Sequence, residues 1–317
     1  MFFTVIVPVL NSEKFIGRAI ESIYAQSCNT IEILVIDGGS TDRTLEVLKK
    51  YQDVTVISGA DLGPHDAMNR GIEMAHGEVI TFLNADDFYI ENIFQEVKQE
   101  FIKEPRLDIV GGGSVIIRKE ENQEYKLLAE RTHESENGLF IEELVLGAPC
   151  FNTRFFRKTI FQKIGKLNLS YHYAADRDFL LRAAISETAT KTIDRVTYVF
   201  QSHGNSRTID NSFINQRSIS KEHLQIAEDL LTKLTPKHHH GKFLRAWIGF
   251  EYLRQLAWNL KSGNWAECYH ILVDAFRVDA KWIPFGLNGF LIARRLWKMD
   301  QSAKKYGEEI LKSFPPI

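Results

Sequence analysis

The stretch "TVIVPVLNSEKFIGRAIESIYAQS", residues 4–27, joins a short apolar run to an amphipathic one. Val5–Val9 is rich in β-branched residues, which favours a buried strand. The apolar positions after it recur at helical spacing behind a predicted cap at Asn11 or Ser12: Phe15, Ile16, Ala19, Ile20 and Ile23. The stretch is therefore predicted to form a β-strand followed by an α-helix.

The same unit repeats further along the chain. Strands are predicted at 31–37, 54–58 and 78–83, and helices at Thr41–Tyr51 and Asp66–Ala75. Strands that alternate with helices in this way form a mostly parallel sheet with helices on both faces. The sequence thus predicts an α/β fold of the Rossmann-like kind.

Composition narrows the class of protein. With 317 residues, 44% hydrophobic and 25% charged, the chain can bury a large core. A net charge of −2 argues against a nucleic-acid partner. The three cysteines are far apart, which argues against a disulfide framework or a zinc site and favours the cytoplasm. No apolar run reaches the ~18 residues of a transmembrane helix, and the apolar N-terminus lacks a basic leader.

The character of the sequence changes near its last third. Residues 107–117 read as another strand, and the polar stretch 118–137 as a hairpin or loop. From about residue 216 the apolar positions recur at spacings of four, which predicts helices. We therefore expect an α/β domain at 1–215 and a helical region at 216–317.

Polar residues follow three of the predicted strands: Asn11, the segment 37–42 and the segment 84–87. Ligands bind at the carboxyl ends of the strands in open sheets of this kind, so these segments are expected to converge on one site. An aspartate after a strand is more often an Asx turn or a helix cap, and Asp42 is interpreted that way.

Two adjacent carboxylates, Asp86 and Asp87, end an apolar strand. Their mutual repulsion is most easily relieved by a divalent cation, and oxygen ligands suit Mg²⁺ or Mn²⁺. Such ions complete their shells with water and phosphates, so a bound diphosphate is expected beside them.

Four motifs together resemble a known family. "TVIVPVLNSEKFIGRAIESIYAQS" (4–27), "EILVIDGGSTDRTLEVL" (32–48), "DAMNRGIEMAHGEVITFLNADD" (66–87) and "YAADRDFLLRA" (173–183) look like the successive motifs of the family-2 glycosyltransferases. The resemblance covers roughly the first two-thirds of the chain and implies the GT-A fold and a nucleotide-diphosphate sugar as donor. The pairing of the second motif with the third is similar to a subgroup that builds bacterial surface polysaccharides.

The resemblance also implies roles for residues around the nucleotide. Pro8 and Asn11 would shape the first loop, and Asp37 would bond the base or ribose. Asn69 would help to order the donor loop, and Asp66 would contact the base or order the loop around it.

The metal site is expected at the third motif. Asp86 is the main predicted ligand and Asp87 the second, although Asp87 alone could cap the helix expected from about Ile90. The family's motif usually begins with aspartate, whereas this chain has Asn84, which can still bond a ribose hydroxyl. His203, in "SHGNS" (202–206), would contact the donor phosphates or the ion, although single histidines in loops are usually just solvated.

Asp176 matches the family's catalytic base. Inverting transfer requires a carboxylate to take the proton of the acceptor hydroxyl on the face opposite the leaving group. The other interpretation of Asp176 is an N-terminal cap of the helix that follows. The family often has glutamate before this residue, where Ala175 stands here, which leaves acceptor positioning open. Asp178 is expected to pair with Arg182 at i,i+4 spacing.

The tail at 282–298 joins apolar residues to cations and tryptophans, and all five tryptophans lie between 247 and 297. This composition is typical of a membrane-interface segment, but the core of a helical bundle uses tryptophan more often. Pro284 and Gly286 predict a break in any long helix. A peripheral contact at the inner face of the membrane is left open beside a cytoplasmic location.

The predicted function is an inverting, metal-dependent glycosyltransferase that moves a sugar to a saccharide or lipid-linked hydroxyl in cell-surface polysaccharide synthesis. The alternative is a non-catalytic nucleotide-sugar-binding or scaffolding protein of the same fold, because Asn84 and Ala175 depart from the motifs. A nucleotidyltransferase ranks last, because no N-terminal glycine-rich loop with Arg and Lys is present to bind a triphosphate. The sequence specifies neither sugar, acceptor nor oligomeric state.

Overall fold

The computed structural model describes residues 1–28, 30–120, 124–131, 138–147, 149–203, 213–235, 238–302, 307 and 310. Within these residues the strands are β1 (Phe3–Val9), β2 (Ile31–Asp37), β3 (Val54–Ser58), β4 (Val79–Phe82), β5 (Phe88–Tyr89), β6 (Ile109–Lys119), β7 (Tyr125–Arg131), β8 (Arg154–Arg157) and β9 (Thr190–Ser202). The helices are α1 (Ile16–Tyr24), α2 (Thr44–Leu48), α3 (Pro64–Met74), α4 (Ile93–Lys103), α5 (Ile141–Leu146), α6 (Thr159–Ile164), α7 (Ala175–Ile185), α8 (Phe213–Lys233), α9 (Gly241–Lys261), α10 (Trp265–Val278) and α11 (Trp282–Ser302).

The strands form one mixed sheet in the order β3-β2-β1-β4-β8-β6-β9-β5, with β7 paired to β6. The half made of β1 to β4 is parallel, which confirms the prediction from the βα repeats. Beyond β4 the pairing becomes mixed, because β8 runs antiparallel to both β4 and β6, whereas β9 runs parallel to β6. The β6–β7 pair is the hairpin expected in the polar stretch after residue 117.

Both faces of the sheet are covered. Along β1, Val5 and Val7 pack into a core with α1 and α4, while Ile6 packs into a second core with α3 and α7. This alternation is the period-2 pattern of a strand, and it places a hydrophobic layer on each side. The predicted α/β architecture is thereby confirmed.

The start of α1 differs from the expectation. α1 begins at Ile16, and the carbonyl of Ser12 accepts the backbone N–H groups of Phe15 and Ile16, so neither Asn11 nor Ser12 caps the helix with its side chain. Asn11 instead adopts a left-handed conformation with φ of 49°. Its side chain bonds the loop after β2 and is therefore not available to cap α1.

The C-terminal helices pack on the same core as α3 and α7, through residues such as Ile226, Leu230, Leu244 and Trp247. The predicted boundary after residue 215 falls within α8, and the division into two units stays a prediction. In the part of the chain that the structure describes, no helix combines the length and the apolar character needed to cross a bilayer.

α11 corrects the predicted break at Pro284 and Gly286, because the helix is continuous across both. Pro284 lies in the first turn, where a missing N–H costs no helical hydrogen bond. Gly286 lies against α9, and an added Cβ there would be 2.5 Å from the carbonyl oxygen of Gly249. Glycine is therefore required for contact between the two helices.

Candidate active site

The loops after β1 and β2 are tied together at the carboxyl end of the sheet. The side-chain oxygen of Asn11 accepts a hydrogen bond from the backbone N–H of Thr41 at 2.8 Å. The backbone N–H of Asn11 donates to the hydroxyl of Ser40, also at 2.8 Å. The predicted convergence of these strand ends is confirmed, with Asn11 as the link.

Pro8 precedes this loop in β1. The β1–β4 pairing ends at Ile6, so Pro8 lies where the strand has only β2 beside it. A residue without an N–H is tolerated there, since no bond to β4 is lost. Its shaping of the loop around a nucleotide stays a prediction.

Asp37 organises the second loop from inside. The side chain is fully buried, and its two oxygens accept hydrogen bonds from the backbone N–H of Gly39 and Ser40 and from the hydroxyls of Ser40 and Ser58. A bond to a base or ribose would require Ser40 or Ser58 to release the carboxylate. The observed role is therefore to hold the loop, and direct contact with a nucleoside stays a prediction.

A similar carboxylate holds the loop before α3. Asp66 accepts a hydrogen bond from the backbone N–H of Leu62 at 3.2 Å. Gly38 comes close to this loop, because an added Cβ would lie 2.8 Å from the Asp61 carboxylate. Asp66 was expected to contact the base or to order this loop, and its bond to Leu62 is of the second kind.

Asp86 and His203 form a pair at the end of β4. The Nε2 atom of His203 lies 2.8 Å from Oδ2 of Asp86, and the two side chains keep 23% and 31% of their surface exposed. The imidazole also stacks on Phe15, with the ring centres 4.7 Å apart. The loop after β1, the loop after β4 and the end of β9 therefore meet here. The rest of the "SHGNS" motif, residues 204–206, lies outside the described residues.

Asp87 points the other way. It is buried, and it accepts hydrogen bonds from the hydroxyl of Tyr198, the backbone N–H of Gln201 and the side-chain amide of Asn84. Burial, followed by the charge of Asp86, raises the pKa of Asp87 to about 8. Since α4 begins only at Ile93, Asp87 does not cap that helix. It joins β9 to the acidic motif, and its role as a metal ligand stays a prediction.

Asn84 belongs to the same hydrogen-bond network, and its side-chain amide is bonded to Asp87. Its Nδ2 donates to Asp87 at 3.0 Å, and its backbone N–H donates to the Tyr198 hydroxyl. An aspartate at this position would place a third charge beside Asp86 and Asp87. The amide therefore lowers the repulsion within the motif, and its contact with a ribose stays a prediction.

The donor atoms of Asp86 and His203 fit one divalent cation. Adjacent ligand atoms around an octahedral ion with bonds of about 2.1 Å lie about 3 Å apart, close to the separation seen here. A carboxylate and an imidazole together suit Mn²⁺ well, and a carboxylate suits Mg²⁺. The partial exposure of both side chains leaves room for water or phosphate oxygens.

Asp176 lies in the first turn of α7, as predicted. Its Oδ1 accepts the backbone N–H of Arg177 at 2.7 Å, and the side chain is partly exposed. Asp178 pairs with Arg182 at 2.9 Å, which confirms the expected i,i+4 contact. A carboxylate is favoured at this end of a helix, so the cap and the base remain compatible roles.

Residues at the end of α5 and before β8 bond the start of α7 and the network around the acidic motif. The guanidinium of Arg177 donates to the carbonyls of Val145 and Gly147. A few residues further on, Asn152 donates to the Tyr198 hydroxyl, which also bonds Asp87. Gly147 thus contacts the neighbour of Asp176, and Asn152 contacts the network around Asp87.

Asn69 bonds a residue far away along the chain. Its side chain is buried on α3 and pairs with both backbone groups of Leu167, donating to the carbonyl and accepting the N–H. The amide therefore holds the segment that leads into α7, and its role in ordering the donor loop stays a prediction. An amide can donate to the carbonyl and accept from the N–H of the same residue, which is why asparagine suits this position.

Glu222, on α8, holds the same segment from the other side, and sequence reasoning missed it. Its carboxylate accepts the backbone N–H groups of His172, Tyr173 and Ala174 at 2.7, 2.8 and 2.9 Å. The residue stands about fifty positions away from its partners in an ordinary helical pattern. No local signal in the sequence could have found it.

The chain matches a known family over about half its length. The model of Glycosyl transferase family 2 matches residues 4–165. A PGL/p-HBAD biosynthesis glycosyltransferase of Mycobacterium bovis is 32% identical over 187 residues, which are 57% of this chain and 68% of that protein. An uncharacterized glycosyltransferase of Bacillus subtilis, EpsJ, is 27% identical over 252 residues, or 75% of this chain and 70% of EpsJ.

Solved structures share the fold. TarS 1-349 from S. aureus, in complex with UDP-GlcNAc, has a TM-score of 0.67 at 19% identity. The match covers 94% of this chain and 92% of the TarS chain. The mannosyltransferase PcManGT of Pyrobaculum calidifontis, in complex with GDP-Man and Mn²⁺, has a TM-score of 0.55 at 16% identity, with coverage of 96% and 88%. The predicted GT-A-like fold with its C-terminal helical region is confirmed. From the family match over residues 4–165, the chain belongs to Glycosyl transferase family 2.

Proposed function

We propose that the protein is an inverting, metal-dependent glycosyltransferase that moves a sugar from a nucleotide diphosphate to a hydroxyl of a saccharide or lipid-linked acceptor in cell-surface polysaccharide synthesis. The observation that carries the proposal is the Asp86–His203 pair at the junction of the strand-end loops. The structures of TarS with UDP-GlcNAc and of PcManGT with GDP-Man and Mn²⁺ support a donor of this class.

Each group in the site has a task in this reaction. Asp86 and His203 would hold the Mn²⁺ or Mg²⁺ ion, which neutralises negative charge on the departing diphosphate. Asn11 and Asp37 keep the two nucleotide-facing loops in place through their hydrogen bonds. Asp176 takes the proton of the acceptor hydroxyl as this attacks the sugar, so no covalent intermediate with the enzyme is needed.

The direct test is sugar transfer or slow donor hydrolysis with a panel of UDP-, GDP- and dTDP-sugars, measured with Mn²⁺ and with EDTA. We expect one donor to be consumed only with the ion. The Asp176→Asn variant should bind that donor normally and turn it over at least about a hundredfold more slowly. Asp53→Asn, which changes an exposed carboxylate after α2, is the matched control. Normal turnover of Asp176→Asn would reject the assigned base.

A non-catalytic nucleotide-sugar-binding or scaffolding protein is the second candidate, because Ala175 replaces the glutamate common in this motif and is buried. Such a protein would show a rise in melting temperature with a nucleotide sugar, since a ligand that binds the folded state stabilises it. It would release neither nucleotide diphosphate nor free sugar with any donor of the panel. Product formation by the wild type that Asp176→Asn abolishes would exclude it.

A further inference from the structure

Small residues bring α11 close to α9. An added Cβ at Gly289 would lie 2.5 Å from the carbonyl oxygen of Ala246, and one at Gly286 would be equally close to Gly249. Trp282 is buried at the start of the same side of the helix. The side of α11 that faces α9 thus has glycines, and most of its large apolar side chains lie on the opposite side.

The outer side of α11 is apolar although it faces solvent. Its exposed side chains recur at spacings of three and four, which places them on one face: Ile283, Leu287, Phe290, Leu291 and Trp297. Leu291 and Trp297 keep 61% and 62% of their surface exposed. The outer face of a surface helix is normally polar, so this face has the pattern of a binding surface.

α10 extends this surface at its N-terminal end. The ring of Phe276 meets the ring of Trp282 edge-on, with centres 5.9 Å apart, and Phe276 itself is 53% exposed. An exposed aromatic ring of α10 therefore adjoins the start of α11. The apolar surface is shared by two helices.

The charges that α11 itself carries before Asp300 all have one sign, although Arg295 pairs with Glu142 of α5. Between Asp279 and Asp300 the sequence contains four cations and no carboxylate: Lys281, Arg294, Arg295 and Lys298. Arg294 is exposed within the apolar face, and its spacing from Leu287 and Leu291 puts it in the same stripe. Arginine can bury its stem among apolar groups and keep its guanidinium at a polar boundary.

Two kinds of partner could cover such a face, a second copy of the chain or a lipid surface. A two-fold dimer through α11 would bring two copies of the same cationic face together, and the face has no carboxylate of its own to pair with Arg294. Anionic lipid headgroups instead complement the cations, while tryptophan and phenylalanine suit the boundary between headgroups and acyl chains. We propose that the outer face of α11 docks on the surface of an anionic phospholipid bilayer.

The proposal is tested by sedimentation of the full chain with vesicles, without any donor present. Vesicles of phosphatidylglycerol and phosphatidylcholine in equal parts should bind the protein, and vesicles of phosphatidylcholine alone should bind it at least about tenfold less. Binding should weaken with added salt, because the headgroup attraction is screened. The emission of the protein should also shift to the blue, and less so in a Trp297→Ser variant.

Paired variants identify the surface. Leu287→Ser/Leu291→Ser should weaken binding at least about tenfold, since both side chains lose apolar burial in the bilayer. Arg294→Glu should weaken it roughly tenfold by reversing the charge. The matched controls are Ile102→Ser, at an exposed apolar position on α4, and Lys50→Glu, at an exposed cation after α2. Both controls should bind as the wild type does.

Two outcomes would overturn the proposal. One is absence of binding by the wild type to the anionic vesicles at low salt. The other is a concentration-dependent dimer, measured by light scattering, that Leu287→Ser/Leu291→Ser abolishes without changing sedimentation with vesicles. The second result would assign the face to self-association. Neither depends on the proposed sugar transfer, because no reaction is measured.

Discussion

The parallel half of the sheet and the C-terminal helical region are held together by different means. At the ends of β1 and β2, short polar side chains bond the backbone of neighbouring loops, as Asn11 does with Thr41 and Asp37 with Ser40. Between α8 and α9, a buried carboxylate, Glu251, lies among Ser220, His223 and Arg254. The bonds of Asn11 and Asp37 are exposed or partly buried, whereas Ser220 and His223 bond Glu251 in the buried interior.

This difference assigns separate tasks to the two regions. The exposed bonds at the strand ends shape loops but contribute little to the core, so a change there is expected to affect activity more than stability. The buried network of α8 and α9 lies under the helix that carries Asp176, so a change there is expected to affect folding or the acceptor side. The predictions below test this division from the largest expected effect to the smallest.

Asp86→Asn should show the strongest separation of activity from stability. We expect turnover to fall about a thousandfold, because the ion loses its charged ligand beside the diphosphate. The free energy of unfolding should stay the same or rise, since the charge of Asp86 no longer raises the pKa of the buried Asp87. Steady-state kinetics over a Mn²⁺ titration and urea unfolding measure the two quantities. A variant with full activity at the wild-type Mn²⁺ concentration would contradict the assignment.

The sequence predicted the first region better than the second for a physical reason. Asn11, Asp37 and Asp86 follow strands directly, so the alternation of strand and helix was enough to place them at one edge. The contact of Asn69 with Leu167 was not predicted, because the two residues are almost a hundred positions apart. The contacts of Glu222 and Glu251, and that between Gly249 and Gly286, depend on which helices pack against one another. No local pattern encodes that choice.

Glu251→Gln should have the largest effect on stability. We expect the free energy of unfolding to fall by about 3 kcal/mol, because Arg254 and His223 lose a buried partner charge. The control is Glu267→Gln. Glu267 and its partner Arg217 are each about one-third exposed, so the free energy of unfolding should fall by less than about 1 kcal/mol. Urea unfolding at neutral pH checks both. Equal losses in the two variants would remove the distinction between the regions.

The same carboxylate predicts a pH dependence. Burial alone would raise the pKa of Glu251, but His223, Arg254 and Ser220 outweigh it and lower the pKa to about 2. The carboxylate of the unfolded chain titrates at about 4.3, so the stabilisation is complete above that pH and is lost as the pH falls toward 2. The stability difference between the wild type and Glu251→Gln should therefore narrow in acid. A difference that widens below pH ~4 would contradict this sign.

Gly286→Ala tests the contact between α9 and α11. An added Cβ would lie 2.5 Å from the carbonyl oxygen of Gly249 and 2.7 Å from Cδ1 of Leu253, so the two helices must move apart. We expect a loss of about 2 kcal/mol in the free energy of unfolding, even though alanine is the better helix former. Gly59→Ala is the control, because a Cβ there meets nothing within 4 Å. A Gly286→Ala variant as stable as the wild type would show that the helices are not in tight contact.

Glu222→Gln should have the smallest effect on stability, yet it addresses the connection between the two regions. The glutamine keeps one acceptor oxygen but turns an amide N–H₂ toward the backbone N–H groups of Tyr173 and Ala174, which lose their partner. We expect the free energy of unfolding to fall by about 1 kcal/mol. The control is Lys221→Gln, which changes the exposed neighbouring residue.

The kinetic pattern of Glu222→Gln separates positioning from folding. If this carboxylate holds the segment that leads to Asp176, then kcat for transfer should fall about tenfold while the KM and the affinity for the donor stay the same, because the donor loops are held by other bonds. A variant that only unfolds more easily would lose active protein in proportion to its unfolded fraction and keep the kcat of the folded molecules. Measuring kcat well below the melting temperature, per folded molecule, therefore decides whether the helical region acts on the site through Glu222.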